Sequence, residues 1–371
     1  LPRRRLKISL VLALALAALA CAPAAGAAVP AGPRLTFVEA EFPINEGEGA
    51  SQSEEEVSVV RLVSTDPQGG DSRPLLGSST VQGIGPAISW IADGSEFAFR
   101  GEAAGSRSGK ARLYVAAADG SGVHAIAGTN GGGNPVLSPD GSLLAFSRTR
   151  VHRPKFSFKH PKSVLEALRH TFSSTTTWIV PTEGGTPQRL TPWRNGSVST
   201  PTSISPDGST LAVSVSRPGA KQEVDAVELA TGKVRTLEVD GSAATYSPDG
   251  SEIAFVTYRD HESVMGFDEP EGVSELYVAR ADGTGAHRIT HTPKMQEGVA
   301  SWDPSGSRLA YLRSPGGFFG ILEGQEVESN ADGSCPTAIP VPKARHKSWE
   351  TFVGSPTWLA GPERGAAPIS C

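Results

Sequence analysis

Apolar residues in this chain come in short bursts separated by polar turn formers. Phe97-Ala98-Phe99, Leu144-Ala145-Phe146, Leu211-Ala212-Val213, Ile253-Ala254-Phe255 and Leu309-Ala310-Tyr311 are the same three-residue pattern, large-Ala-large. Runs this short, rich in aromatic and branched side chains, predict strands rather than helices. A turn stands just ahead of each. It reads Ser-Pro-Asp-Gly-Ser at 138–142, 205–209 and 247–251, Ile-Ala-Asp-Gly-Ser at 91–95 and Asp-Pro-Ser-Gly-Ser at 303–307. Pro presets φ, Asp bonds to amides two residues on, and Gly takes the positive φ of a tight hairpin. The turn residues Asp93, Gly94, Asp140, Gly141, Asp207, Gly208, Asp249, Gly250 and Gly306 are therefore read as structural, and their repetition argues against catalytic carboxylates.

A second turn follows each burst after a variable loop, as in Leu113–Gly120, Trp178–Gly184, Val227–Gly232 and Leu276–Gly283. A polar stretch such as 188–191 or 287–290 comes next. One unit is thus strand A, Pro-Asp-Gly turn, strand B, loop, strand C, Asp-Gly turn, strand D. Four antiparallel strands in a repeat of this length make a propeller blade. The expected fold is an all-β, six-bladed β-propeller of four-stranded antiparallel blades, spanning 34–361. Seven blades is the rival if a long loop hides a degenerate one. Ser355–Ala360 supplies an innermost strand with no partner turn, and Arg34–Glu39 matches strand B, so the two termini should complete one blade and close the ring.

The repeated Ser-Pro-Asp-Gly-Ser-x-(Leu/Ile)-Ala-Phe core resembles the TolB-type, WD40-like (PD40) propeller repeat over roughly residues 35–361. Only a few residues lie between the signal-like start and the first strand, so the α/β domain that TolB proteins carry is not expected here. The resemblance implies the propeller, not a TolB role in colicin uptake.

The start of the sequence changes the picture of where the protein works. Arg3, Arg4, Arg5 and Lys7 precede a stretch from Ile8 to Ala20 that is apolar apart from Ser9. This reads as an export signal within 1–28, too short to span a bilayer. Cleavage after Ala24 or Ala27 and lipid attachment at Cys21 are alternatives; the second would be the sole membrane link. The expected location is the bacterial periplasm, cell envelope or exterior, and the expected state a monomer. Without residues 1–21 the net charge moves from −5 to −9, which disfavours nucleic acid as a partner. Cys335 and Cys371 remain, a candidate disulfide that would tie down the tail at 362–371. With Gly 42 and Pro 29 in 371 residues, turns are abundant, as many short strands require.

Candidate chemistry is sparse. There is no Gly-x-Ser-x-Gly elbow, no Cys/His zinc spacing and no recurrent His on inner strands. No cofactor or metal is expected, and no enzyme. His287 and His291 fall on an outer strand too far apart to share a metal. Trp90, Trp302 and Trp358 are read as packing between blades.

Topology puts the short turns on one face and the long loops at 41–56, 101–110, 149–175 and 259–274 on the other, where binding usually sits. The acidic residues of 41–56 and 259–274 match no calcium loop. Loop 148–170 is basic with aromatics interleaved. Arg150, Arg153, Lys155, Phe156, Phe158 and Lys159 are its candidate partner-binding residues, with a short amphipathic helix at 163–172. The sequence-level reading is an exported scaffold that binds an envelope or extracellular protein through the long-loop face. A carbohydrate-binding or polysaccharide-lyase-like propeller using the central funnel is the alternative.

Overall fold

The computed structural model describes residues 32–43, 59–76, 81–103, 111–152, 172–259, 273–315, 324–340, 349–353, 356–361 and 365–371. They form six antiparallel sheets, each a blade. The ring is six-bladed, and the seven-bladed alternative is set aside.

Blades 2 to 6 follow the chain. Their strands B and C are Glu96–Ala103 and Arg112–Ala117, Leu143–His152 and Phe172–Pro181, Thr210–Ser216 and Glu223–Glu228, Glu252–Thr257 and Glu275–Arg280, and Arg308–Pro315 and Gln325–Asn330. Blade 1 is built from both ends of the chain. Leu35–Pro43, Val59–Thr65 and Arg73–Leu76 are its strands B, C and D. Thr357–Trp358 supplies the innermost strand, pairing Trp358 with Leu35 and Thr357 with Thr36, and Trp349–Val353 extends the pairing to Pro43. The ring is therefore closed by main-chain ladder bonds between residues more than three hundred positions apart, which leaves no open edge at the join.

The large-Ala-large pattern has a direct packing meaning. Successive strand residues point to opposite sheet faces. Ile253 and Phe255 pack with Ala212, Val224 and Leu237 of the preceding blade. Ala254 between them packs with Trp302, Leu309 and Tyr311 of the following one. Ala98, Ala145, Ala212, Ala254 and Ala310 are all fully buried. Bulk on one face and a methyl on the other let wedge-shaped blades approach closely near the axis. In blade 1 the central position is Thr36, also fully buried. Its Oγ1 donates to the Thr357 carbonyl at 3.0 Å and accepts the Trp90 indole N–H at 3.1 Å. The polar atom that replaces the methyl is thus satisfied on both sides. Trp90 continues into an aromatic run, with ring centroids 4.7 Å to Phe97, 5.7 Å from Phe97 to Phe99 and 5.6 Å from Phe99 to Tyr114.

The repeated turn behaves as its residues dictate. In blade 3 the Asp140 carboxylate accepts from the Ser138 hydroxyl at 2.5 Å and from the Ser142 amide at 3.0 Å. The Ser138 hydroxyl, the Ser142 amide and the Ser142 hydroxyl together hold the Asp140 pKa down to about 2. Asp207 and Asp249 carry the same bonds and are lowered for the same reasons. Beyond blade 1, a disulfide joins Cys335 to Cys371 with a Cα–Cα separation of 5.4 Å, which fixes the end of the tail to blade 6.

Candidate functional site

The six inner strands meet around one axis, and the repeat stacks equivalent residues into rings. One is a ring of small hydroxyl side chains: Ser89, Ser203, Thr245, Ser301 and Thr357, with Val136 standing in at blade 3. One residue on is an apolar ring of Trp90, Leu137, Ile204, Tyr246, Trp302 and Trp358. At the rim are Ala92, Pro139, Pro206, Pro248, Pro304 and Ala360. All of these line one cavity of about 480 Å³ that extends to the short turns.

The hydroxyl ring is held in place by bonds that cross between blades. The Leu137 amide donates to Ser89 Oγ at 2.9 Å, the Tyr246 amide to Ser203 Oγ at 3.1 Å and the Trp358 amide to Ser301 Oγ at 3.0 Å. Thr245 Oγ1 donates to the Ala300 carbonyl at 2.9 Å and Thr202 Oγ1 to the Ala244 carbonyl at 2.7 Å. These bonds stitch four of the six seams at the axis and fix the wall before any ligand arrives.

Among the described residues no charged side chain lines the cavity. Tyr246 is the one titratable group among its described lining residues, and burial raises that phenol above its usual range. Trp90, Trp302 and Trp358 do pack between blades, with 9%, 8% and 3% of their surface exposed, and their remaining edges face the cavity. An uncharged surface of indole, phenol, proline and hydroxyl groups suits a ligand with aromatic or apolar groups and a polar backbone.

This cavity extends to the face that topology marked as merely structural. The repeat held a signal for it: one Pro at the same place in successive turns becomes a ring of prolines once the blades close into a circle. Read along a line, the same prolines look only like turn formers.

Of the residues singled out for the long-loop face, Arg150 is described. Its guanidinium lies 4.3 Å from the Trp193 ring centroid, a cation–π contact within the protein. Next to it, Val151 is 55% exposed, and His152 stacks on Phe172 at 4.6 Å. Arg148 lies between Phe146 and Trp178, at 5.1 and 4.7 Å, and donates to the Gly128 carbonyl. Arg153, Lys155, Phe156, Phe158 and Lys159 lie outside the described residues, as do 163–171, 1–31 with Cys21, and most of the two acidic loops. His287 and His291 are exposed on the rim of blade 5. Among the described residues no cluster of His, Cys, Asp and Glu is arranged to hold a metal, and no helix is long and apolar enough to cross a membrane.

No family model and no curated protein matches the sequence. Solved structures do match the fold. The putative TolB from Agrobacterium tumefaciens aligns over 87% of this chain and 99% of its own, at 18% identity and a TM-score of 0.54. TolB from Acinetobacter baumannii aligns over 88% and 67%, at 16% identity and a TM-score of 0.59. Kuenenia stuttgartiensis hydrazine synthase aligns over 92% of this chain and 48% of its own, at 13% identity and a TM-score of 0.56. At such identities the likeness is one of architecture, shared by TolB propellers and by a propeller within an enzyme alike.

Proposed function

We propose that this chain is an exported, non-catalytic binding propeller that takes an extended, uncharged segment of a partner protein into its axial cavity from the short-turn face. The observation that carries the reading is the cavity wall. All six blades contribute to it, the hydroxyls of Ser89, Ser203, Thr245 and Ser301 are anchored across the seams, and its described residues present aromatic and proline surface without a charged group. Acid–base or metal-assisted chemistry needs titratable or ligating groups convergent on one point, and among the described residues this wall offers one half-buried phenol. A peptide stretch offers what the wall matches: apolar side chains for the Trp and Pro rings and main-chain groups for Ser and Thr. The disulfide at the tail and the signal-like start of the sequence fit a protein of an oxidising, extracytoplasmic compartment.

The test is co-purification from envelope extract with the wild-type protein and a Val299→Arg variant. Val299 lines the cavity and is 43% exposed, so the substitution places a charge in the tunnel without opening the core. A partner protein retained by the wild type and lost by the variant, with unchanged thermal melting, supports the proposal. A partner retained by both places binding elsewhere.

A further inference from the structure

A second cavity, of about 380 Å³, lies between blades 2 and 3 and is lined by Arg100, Gly132, Gly133, Asn134, Ser147 and Thr149 among others. It opens at the opposite end of the strands from the turns. Gly132 pairs with Arg148 at the far end of a ladder whose near end, Leu137 with Leu144, abuts the Pro139 turn. The cavity therefore belongs to the long-loop face.

Arg100 is half-buried on strand B of blade 2, and among the described residues its guanidinium has no hydrogen-bond or ion-pair partner. Among the described residues no acidic side chain lines the cavity. Around the cation stand neutral hydrogen-bonding groups already fixed in place. Asn134 Nδ2 donates to Ser147 Oγ at 3.2 Å, and Ser147 Oγ donates to the Gly133 carbonyl at 3.0 Å. Thr149 and Thr175 share a hydroxyl bond of 2.9 Å. Asn134 sits in the left-handed region, at φ 48°. The space over Gly133 is open enough that a Cβ there would meet nothing nearer than Ser147 Oγ at 3.4 Å.

We propose that this cavity binds a small hydroxylated carboxylate. Arg100 grips the carboxylate through its planar fork, and Asn134, Ser147 and Thr149 read the hydroxyl groups. Among the described residues the Arg100 fork has no acceptor, and a carboxylate supplies two acceptors at the matching spacing. The volume is at the small end of ligand pockets, and its polar lining favours a hydroxylated ligand over an apolar acid.

The experiment is calorimetric titration of the full chain with D-glucuronate, D-glucose and propionate as probes. Glucuronate is expected to bind, propionate more weakly, and glucose not measurably. Arg100→Gln should weaken glucuronate at least about 10-fold, and Arg100→Lys, which keeps the charge and loses the fork, should weaken it less. Should the Gln variant fail to fold, phenylglyoxal labelling of the wild type gives the same answer, because glucuronate should protect Arg100 selectively. Equal binding of glucose and glucuronate, no binding of any probe up to about 10 mM, unchanged affinity in a folded Arg100→Gln variant, or unprotected Arg100 would each overturn the proposal.

Discussion

Asp303 and Ser305 have exchanged places relative to the other turns. In blades 3, 4 and 5 the first turn residue is Ser and the third Asp. In blade 6 the Ser305 hydroxyl donates inward to Asp303 Oδ2 at 2.6 Å. The exchange buries the Asp303 carboxylate completely. It then accepts the Arg308 amide at 2.7 Å and the Ala366 amide at 2.8 Å. The Ala366 carbonyl lies 2.9 Å from the same Ser305 hydroxyl, a second acceptor within reach of its one proton. The altered turn is thus the seat of the C-terminal tail, which buries Ala366 beside Leu35 and Trp358. Asp303→Ala should lower the unfolding free energy by about 2–3 kcal/mol, because it strands several buried donors. Asp140→Ala in an exposed turn should cost about 1 kcal/mol. Denaturant titration of both variants measures the difference, and limited proteolysis should nick the tail only in the first, the cut fragment coming away from Cys335 only after reduction of the bridge.

The Cys335–Cys371 bridge closes a segment with a sequence separation of 36. Cys371→Ser should lower stability by about 3 kcal/mol. Melting of the wild type with and without dithiothreitol should reproduce that loss, and the variant should be indifferent to reductant.

Glu326 is fully buried, and neither of its carboxylate oxygens has a partner. Burial lifts its pKa from 4.5 to about 7. The Ile339 amide donates to the Glu326 carbonyl, as Ile126 does to Leu113 and Ile289 to Leu276, so Glu326 occupies a position that is Leu in two sister blades. Between pH 4.5 and 7 the folded state holds a proton that the unfolded state has released. The Glu326 contribution is therefore fully present below pH 4.5 and is lost as pH rises through 7, by up to about 3 kcal/mol. Glu326→Leu should be the more stable protein at pH 8, and its advantage should shrink on acidification. Urea titrations of both proteins at pH 5 and pH 8 check the sign.

Glycines of the same turn type differ in what surrounds them. Gly94 and Gly208 both have φ near 72°. A Cβ on Gly94 would stand 2.0 Å from the Ala360 carbonyl oxygen, while one on Gly208 meets nothing within 4 Å. Gly208→Ala should cost about 1–2 kcal/mol of left-handed strain. Gly94→Ala should cost clearly more, because blade 2 would be pushed off the strand that closes the ring. Thermal melting ranks the two.

The blades were legible in the sequence because two local codes agree there: alternation within each triplet and the φ demands of each turn. The joined blade was legible for a related reason. Thr357-Trp358 lacks its following turn and Leu35-Thr36-Phe37 lacks its preceding one, so each terminus states what the other supplies. The axial cavity was not, since Pro139, Pro206, Pro248 and Pro304 become one rim only when the ring is closed. Arg100 gave no signal, because an Arg on a strand is ordinary until Gly131–Gly133 of the next blade leaves room beside it. The exchange of Asp303 and Ser305 was visible, but its meaning depends on where Ala366 lies, which is set by the path of the tail.

The central claim is that a protein partner enters from the short-turn face. The direct measurement is photo-crosslinking in the native host from a benzoyl-phenylalanine placed singly at Ala92 or at Val151. Ala92 is exposed on the cavity rim, and Val151 is exposed on the long-loop face. A polypeptide adduct from Ala92 that is suppressed by Val299→Arg, with none from Val151, is the predicted result. An adduct from Val151 alone would contradict the account and return the binding site to the long loops.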